Sequence, residues 1–213
     1  MTTETRVRVD AAISSLRSGL PIVLSHQTRF DEIEGYLVLP ADRATTEITS
    51  FLVRHTSGLV CAAVPAADCE RLWLPPMSGT RGETGFTVTL DAIEGTTTGI
   101  SASDRATTLR RMANPLSTAQ DFTRPGHVSP VRVLEHGRRR GESTVADAAS
   151  DLCQAVGGSP IAAFAALVSE IDETLLAGEI ECHMFATRHG LNEVTIADVA
   201  HYCRTSLNYL EKV

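Results

Sequence analysis

Residues 45–64, TTEITSFLVRHTSGLVCAAV, decide the fold class. Thr45 and Thr46 carry hydroxyls that can cap a helix, and Ile48, Phe51 and Leu52 then share one helical face. Ser57-Gly58 stops that helix. Leu59 to Val64 follows as an unbroken apolar run, the pattern of a buried strand. Upstream, Val7, Val9, Ala12, Ile13 and Leu16 form a helical stripe halted by Gly19 and Pro21. Two short apolar strands, 21–24 and 36–39, come next, separated by the polar stretch Ser25 to Gly35. Downstream, Asp68 to Trp73 reads as a short helix, and Phe86, Val88 and Leu90 as a half-buried strand. Ser103-Asp104 reads as the cap of a helix bearing Leu109 and Met112. A helix over 145–156, a strand over 161–168, a helix over 180–187, the short stretch 191–195 and a final helix complete the alternation. Interleaved strands and helices predict one layered α/β domain over residues 1–213, its mixed sheet covered on both faces.

With 213 residues, 43% of them hydrophobic and 21% charged, the chain can bury a core without disulfides or a structural metal. No apolar run approaches the ~20 residues that cross a bilayer, and Met1-Thr2-Thr3-Glu4 does not open a signal peptide. A cytoplasmic protein is expected. The formal net charge of -7, with dispersed basic residues, argues against a nucleic-acid or membrane surface. Arg138-Arg139-Arg140 is too short to change that. Cys61, Cys69, Cys153, Cys182 and Cys203 contain no CxxC pair, so neither a disulfide framework nor a zinc ribbon is expected. The last three read as small buried helix thiols.

Three segments are more polar than packing requires. Asp31-Glu32-Ile33-Glu34-Gly35 lies in a loop long enough to be functional. Glu32 and Glu34 are not expected to form one bidentate site unless that loop turns. Thr98 to Thr108 sets hydroxyls, Gly99 and Arg105 at a helix N-terminus, the parts of an anion site, although a capped helix needs only Ser103 or Asp104. Arg124-Pro125-Gly126-His127-Val128 places a histidine between a Pro-Gly turn and a strand, a candidate general acid/base because its ordinary pKa is ~6.5.

In this order the segments resemble the 3,4-dihydroxy-2-butanone 4-phosphate synthase family of riboflavin biosynthesis. The matching residues are Val23-Leu24 through Gly35 to Pro40-Ala41, Val53-Arg54-His55 to Cys61, Leu74-Pro75-Pro76-Met77 and Gly85 to Thr89. They continue with Thr98-Gly99-Ile100-Ser101-Ala102-Ser103-Asp104-Arg105, Arg124 to Val128 and Val194 to Asp198. The resemblance implies a three-layer α/β (α+β) fold. It also implies a homodimer with sites at the subunit interface, and conversion of ribulose 5-phosphate to a four-carbon ketone phosphate and formate. Aligned without gaps on Gly35, the family's acidic loop puts its substrate-binding arginine on Asp31 and its final aspartate on Tyr36. Glu32, at the metal-ligand position, and Glu34 survive. Rescue of the arginine by Arg29 needs an insertion. Anchored on Asp147-Ala148-Ala149, the family's R-P-G-H-T-E-A string puts Val145 at its histidine and Glu142 at its phosphate arginine. The later glutamate falls on Ala166.

These replacements lead to the expectation that the parent reaction is lost. The expected function is a repurposed, metal-independent enzyme without cofactors, performing an enolisation, isomerisation, cyclisation or dehydration on a non-phosphorylated small molecule of natural-product type. A non-catalytic homodimer that binds a ligand or partner is the alternative, and an intact synthase ranks last. His127, Asp104 and Glu34 are the expected proton-transfer group and its orienters. Glu32, Tyr36, Cys61, Thr98, Ser101, Arg105, Thr108, Arg124 and Val145 are the expected pocket lining.

Overall fold

The computed structural model describes residues 2–28, 32–77, 85–133 and 143–210, the last five by backbone alone. In chain order the elements are α1 (Thr3–Arg17), β1 (Ile22–Gln27), β2 (Ile33–Pro40), α2 (Thr46–His55), β3 (Cys61–Val64), α3 (Ala66–Arg71) and β4 (Leu90–Ala92). They continue with α4 (Ala102–Ala113), β5 (Phe122–Arg132), α5 (Val145–Val156), β6 (Ala162–Ala166), α6 (Glu179–His189), β7 (Glu193–Thr195) and α7 (Ile196–Leu210). The seven strands form one sheet in the order β4-β5-β3-β6-β2-β1-β7. The β3–β5 and β1–β7 pairs are parallel and the others antiparallel, so the sheet is mixed.

Alternation along the strands sorts the core into two layers. Val23, Leu37, Leu39, Ala62, Val64, Leu90, Val128, Ala163 and Ala165 face one side, against Leu52 of α2, Leu109 and Met112 of α4 and Phe185 of α6. Ile22, Leu24, Val38, Cys61, Ala63, Ala162, Phe164 and Val194 face the other, against Leu16 of α1, Leu152 of α5 and Val199 of α7. Each large aliphatic side chain removed from water contributes about 1.5–3 kcal/mol. Among the described residues no helix is long and apolar enough to cross a membrane.

Local structure departs from the sequence reading in four places, the first being the expected strand through Phe86 and Val88, where Phe86 and Thr87 form isolated bridges and β4 begins at Leu90. Much of the polar stretch 25–35 is strand: β1 runs to Gln27, β2 starts at Ile33, and His26 pairs with Glu34. The segment Arg124–Val128 contains no turn and lies within the continuous strand β5. Helix α4 is capped by Ser101, whose hydroxyl accepts from the Asp104 N–H at 3.0 Å, two residues before Ser103 of the expected cap. The thiols of Cys153 and Cys182 are buried as expected, while Cys203 is half-buried.

Candidate active site

One row of residues crosses the sheet on the face covered by α5. Cys61 pairs with Ser129 on one side and Phe164 on the other, and Phe164 pairs with Val38. Two residues further along each strand, towards the same end of the sheet, stand His127 on β5, Leu59, Ala166 on β6 and Tyr36 on β2. Tyr36 is the register partner of Ala166. Strands β3 and β6 lie between β5 and β2, so three interstrand steps, about 14 Å in all, separate His127 from Tyr36.

At the β5 end the geometry centres on His127. Asp91, buried at the bulge of β4, accepts the His127 backbone N–H through Oδ1 at 2.8 Å and meets the ring Nδ1 through Oδ2 at 2.7 Å. Gly99 covers this pair. Its φ of 84° suits glycine, and a Cβ there would collide with the Asp91 carboxylate and lie 2.7 Å from His127 Nδ1. Asp104 anchors that cover, accepting the Thr97 hydroxyl at 2.9 Å and the Gly99 N–H at 3.0 Å. Burial works against the Asp104 carboxylate, but hydrogen bonds from Thr97, Gly99 and Ser101 outweigh it and hold its pKa below the ordinary value. The carboxylate that touches His127 is therefore Asp91, and Asp104 reaches the histidine only through the loop it holds.

Arg105 lies beneath the same loop, 7% exposed, with Nη1 donating to the Gly58 carbonyl at 2.9 Å and no partner for Nε among the described residues. Burial lowers its pKa and the charge of Asp91 opposes that. Three other expected lining residues have structural duties. The fully buried Thr108 hydroxyl accepts from the Ala92 N–H and donates to the Asp104 carbonyl. Arg124 donates to the carbonyls of Ala119, Phe122 and Leu72, with its guanidinium 5.8 Å from the Trp73 ring. Ser101 is occupied as the cap of α4, whereas Thr98 is exposed beside Gly99.

At the β2 end the Tyr36 hydroxyl donates to Glu34 Oε2 at 2.7 Å, and its ring packs edge-on against Phe164 at 6.3 Å. Burial, with the hydrogen bond to Glu34 and its charge, raises the Tyr36 pKa. Residues two apart on an extended segment share a face, so Glu34 and Tyr36 point together and Glu32 continues their row from the hairpin tip. The expectation that Glu32 and Glu34 act together only if the loop turns is corrected on that ground. Cys61, pushed by burial to about 12, is a neutral thiol in this wall. Val145, the first residue of α5, belongs to the same apolar cluster as Cys61 and Phe164, and the Thr144–Asp147 capping box fixes its helix end. Asp31, Arg29, Arg138–Arg140 and Glu142 lie outside the described residues.

A family model described as 3,4-dihydroxy-2-butanone 4-phosphate synthase matches residues 10–202. The riboflavin biosynthesis protein RibBA of Mycobacterium marinum is 43% identical over 211 residues, covering 96% of this chain and 48% of that protein. The chain thus spans about half the length of the curated relatives it matches. Among solved structures, the 3,4-dihydroxy-2-butanone 4-phosphate synthase of Candida albicans is 34% identical, with a TM-score of 0.83 over 92% of this chain and 96% of that one. A 3,4-dihydroxy-2-butanone 4-phosphate synthase in complex with two magnesium ions is also 34% identical, with a TM-score of 0.80 over 93% of this chain and 97% of that one.

These likenesses overturn the expectation of a repurposed, metal-independent enzyme without the parent activity. They point to the synthase itself, the reading ranked last, and nothing in them shows that activity lost. The expected loss of the loop arginine rested on an ungapped register through a hairpin tip, where extra residues cost little because each doubling of loop length adds only ~0.6 kcal/mol. Magnesium is a separate matter. Among the described residues no three His, Cys, Asp or Glu side chains gather closely enough to hold a metal ion. Tyr36 already engages one oxygen of Glu34, and Val145 offers no lone pair. The described groups of one chain do not amount to the site that such an ion requires.

Proposed function

The chain belongs to the 3,4-dihydroxy-2-butanone 4-phosphate synthase family, and we propose that it carries out that synthase reaction, taking ribulose 5-phosphate to the four-carbon ketone phosphate and formate. The observation that carries this reading is coverage: identity of 34% runs through 92% of this chain and 96% of the Candida albicans synthase, at a TM-score of 0.83.

The chain's own groups supply proton handling. Enolising a sugar phosphate means removing a proton beside a carbonyl and returning one later, and an imidazole near neutrality does both. His127 is exposed, with Nδ1 engaged and no partner at the opposite edge of the ring among the described residues. Thr98, exposed beside Gly99, offers a hydroxyl to a substrate oxygen in this reading. At the other end Glu34 and Glu32 supply carboxylates, and Tyr36 fixes the direction of Glu34.

His127 and Glu34 of one chain stand three strand steps apart, about 14 Å across the strands with two further residues along β2, too far for one sugar phosphate to bridge. A second copy that brings its own His127 to the Glu34 end completes the site, so the functional unit in this reading is a homodimer. The test is incubation of the purified protein with ribulose 5-phosphate and Mg²⁺, followed by NMR, with light scattering in parallel. Formate and the phosphorylated ketone should appear together from a particle of twice the chain mass. An unchanged substrate would overturn the reading, and a monomer with full activity would overturn its dimeric part.

A further inference from the structure

We propose that Asp91 is the positioning residue of His127, fixing the imidazole as the tautomer that carries its proton on Nδ1 and leaves Nε2 as the proton acceptor. Asp91 was not among the residues singled out from the sequence, and 36 positions separate it from His127. The two are brought together by the β4–β5 pairing, where a bulge between Leu90 and Asp91 turns the carboxylate towards the neighbouring strand.

Three features of the contact carry the argument. First, the carboxylate holds the residue at two points, through the His127 backbone N–H and through Nδ1, at 2.8 and 2.7 Å. Backbone and ring are therefore located together. Second, a carboxylate only accepts hydrogen bonds, so a neutral imidazole facing it must place its proton on Nδ1. Nε2 then keeps its lone pair, which a general base requires. Third, the pair is enclosed. Gly99 lies over it with no room for a side chain, Asp91 is buried, and the Arg105 guanidinium supplies the opposing charge inside the same region. A buried acceptor with a nearby countercharge resists reorientation, because rotating it away would leave the His127 N–H unsatisfied.

The assignment deepens the synthase reading only in its kinetic consequence, since the tautomer is a property of the folded chain whatever the substrate. The experiment uses the full chain labelled with ¹⁵N-histidine, with the His127 signals identified by their loss in His127→Gln. Wild type should show a protonated Nδ1 and a lone-pair Nε2 in the neutral ring. In Asp91→Asn the amide oxygen can still accept the backbone N–H, while the amide nitrogen now faces Nδ1 and donates to it. The proton should move to Nε2, and formate release should fall by ~10²–10⁴-fold, the worth of a positioned general base, without a matching fall in Tm.

A wild-type ring protonated on Nε2 would overturn the proposal, and this measurement stands even if Asp91→Asn does not fold. So would an Asp91→Asn protein that switches tautomer and keeps its rate. A wild-type ring protonated on Nδ1 in a protein that releases no formate would support the Asp91 assignment and sink the synthase reading alone.

Discussion

His127 and Tyr36 stand at opposite ends of one row, yet their surroundings follow different rules. At the β5 end, Asp91 accepts the backbone N–H of His127 and meets its ring Nδ1, and Asp104 accepts the N–H of Gly99, which covers that pair. At the β2 end, one hydrogen bond from Tyr36 to Glu34 sits against Phe164, Cys61 and Val145, which hold position by packing. Buried hydrogen bonds fix direction, whereas apolar packing fixes shape and tolerates substitutions that conserve volume. The ends should therefore break differently.

The largest effect is expected where the polar end has no slack. At Gly126 a methyl group would fall within the backbone of Leu90 and Asp91. Gly126→Ala should lower stability by more than about 4 kcal/mol or leave no folded protein, read from soluble yield and thermal unfolding. A Tm near wild type would show that β4 and β5 do not approach so closely.

Gly99→Ala meets side chains rather than backbone, so despite the strain of its φ of 84° it should cost less stability than Gly126→Ala. Its methyl displaces the Asp91–His127 pair, and a displacement near 1 Å at a reacting group is worth about 10²-fold in rate. Formate release beside a melting curve checks this, and equal losses in both would make the effect one of folding.

Asp104 offers a test through pH. Its carboxyl titrates below the ordinary value, so the stabilisation it gives is complete above an unfolded pKa of ~3.9 and disappears as pH falls through the lowered folded value. Asp104→Asn should therefore be less stable than wild type at neutral pH, and the two should converge in acid. Parallel unfolding curves at every pH would show that Asp104 holds no charge-dependent contact.

The smallest effect belongs to the packed end. Tyr36→Phe keeps the ring against Phe164 and removes one hydrogen bond, a change of about 1 kcal/mol in Tm-derived stability. A loss several times larger would mean that the hydroxyl, rather than packing, organises that wall.

Where the sequence carried a strong period, the structure follows it: α5 occupies 145–156 as the spacing of its apolar residues predicts, and α2 follows its threonine cap. The strand β5 was hidden because Pro125 and Gly126 punctuate most chains as a turn. Here they lie inside the strand, the glycine at a point where β4 presses against it. The backbone hydrogen bonds of Thr108 and Arg124 were hidden for a related reason, since residue type does not reveal which carbonyls and N–H groups the fold brings to them. Asp91 escaped notice because an acid in an alternating strand reads as a solvent-facing residue, and only tertiary pairing places it beside His127.

The most direct measurement of the central claim is formate release from ribulose 5-phosphate by wild type and His127→Ala side by side, with melting curves for both. The account predicts wild-type turnover within the ~1–10³ s⁻¹ range of enzymes, and a loss of ~10²–10⁴-fold in a His127→Ala protein that melts close to wild type. No formate from wild type, or an unchanged rate in the variant, would contradict it.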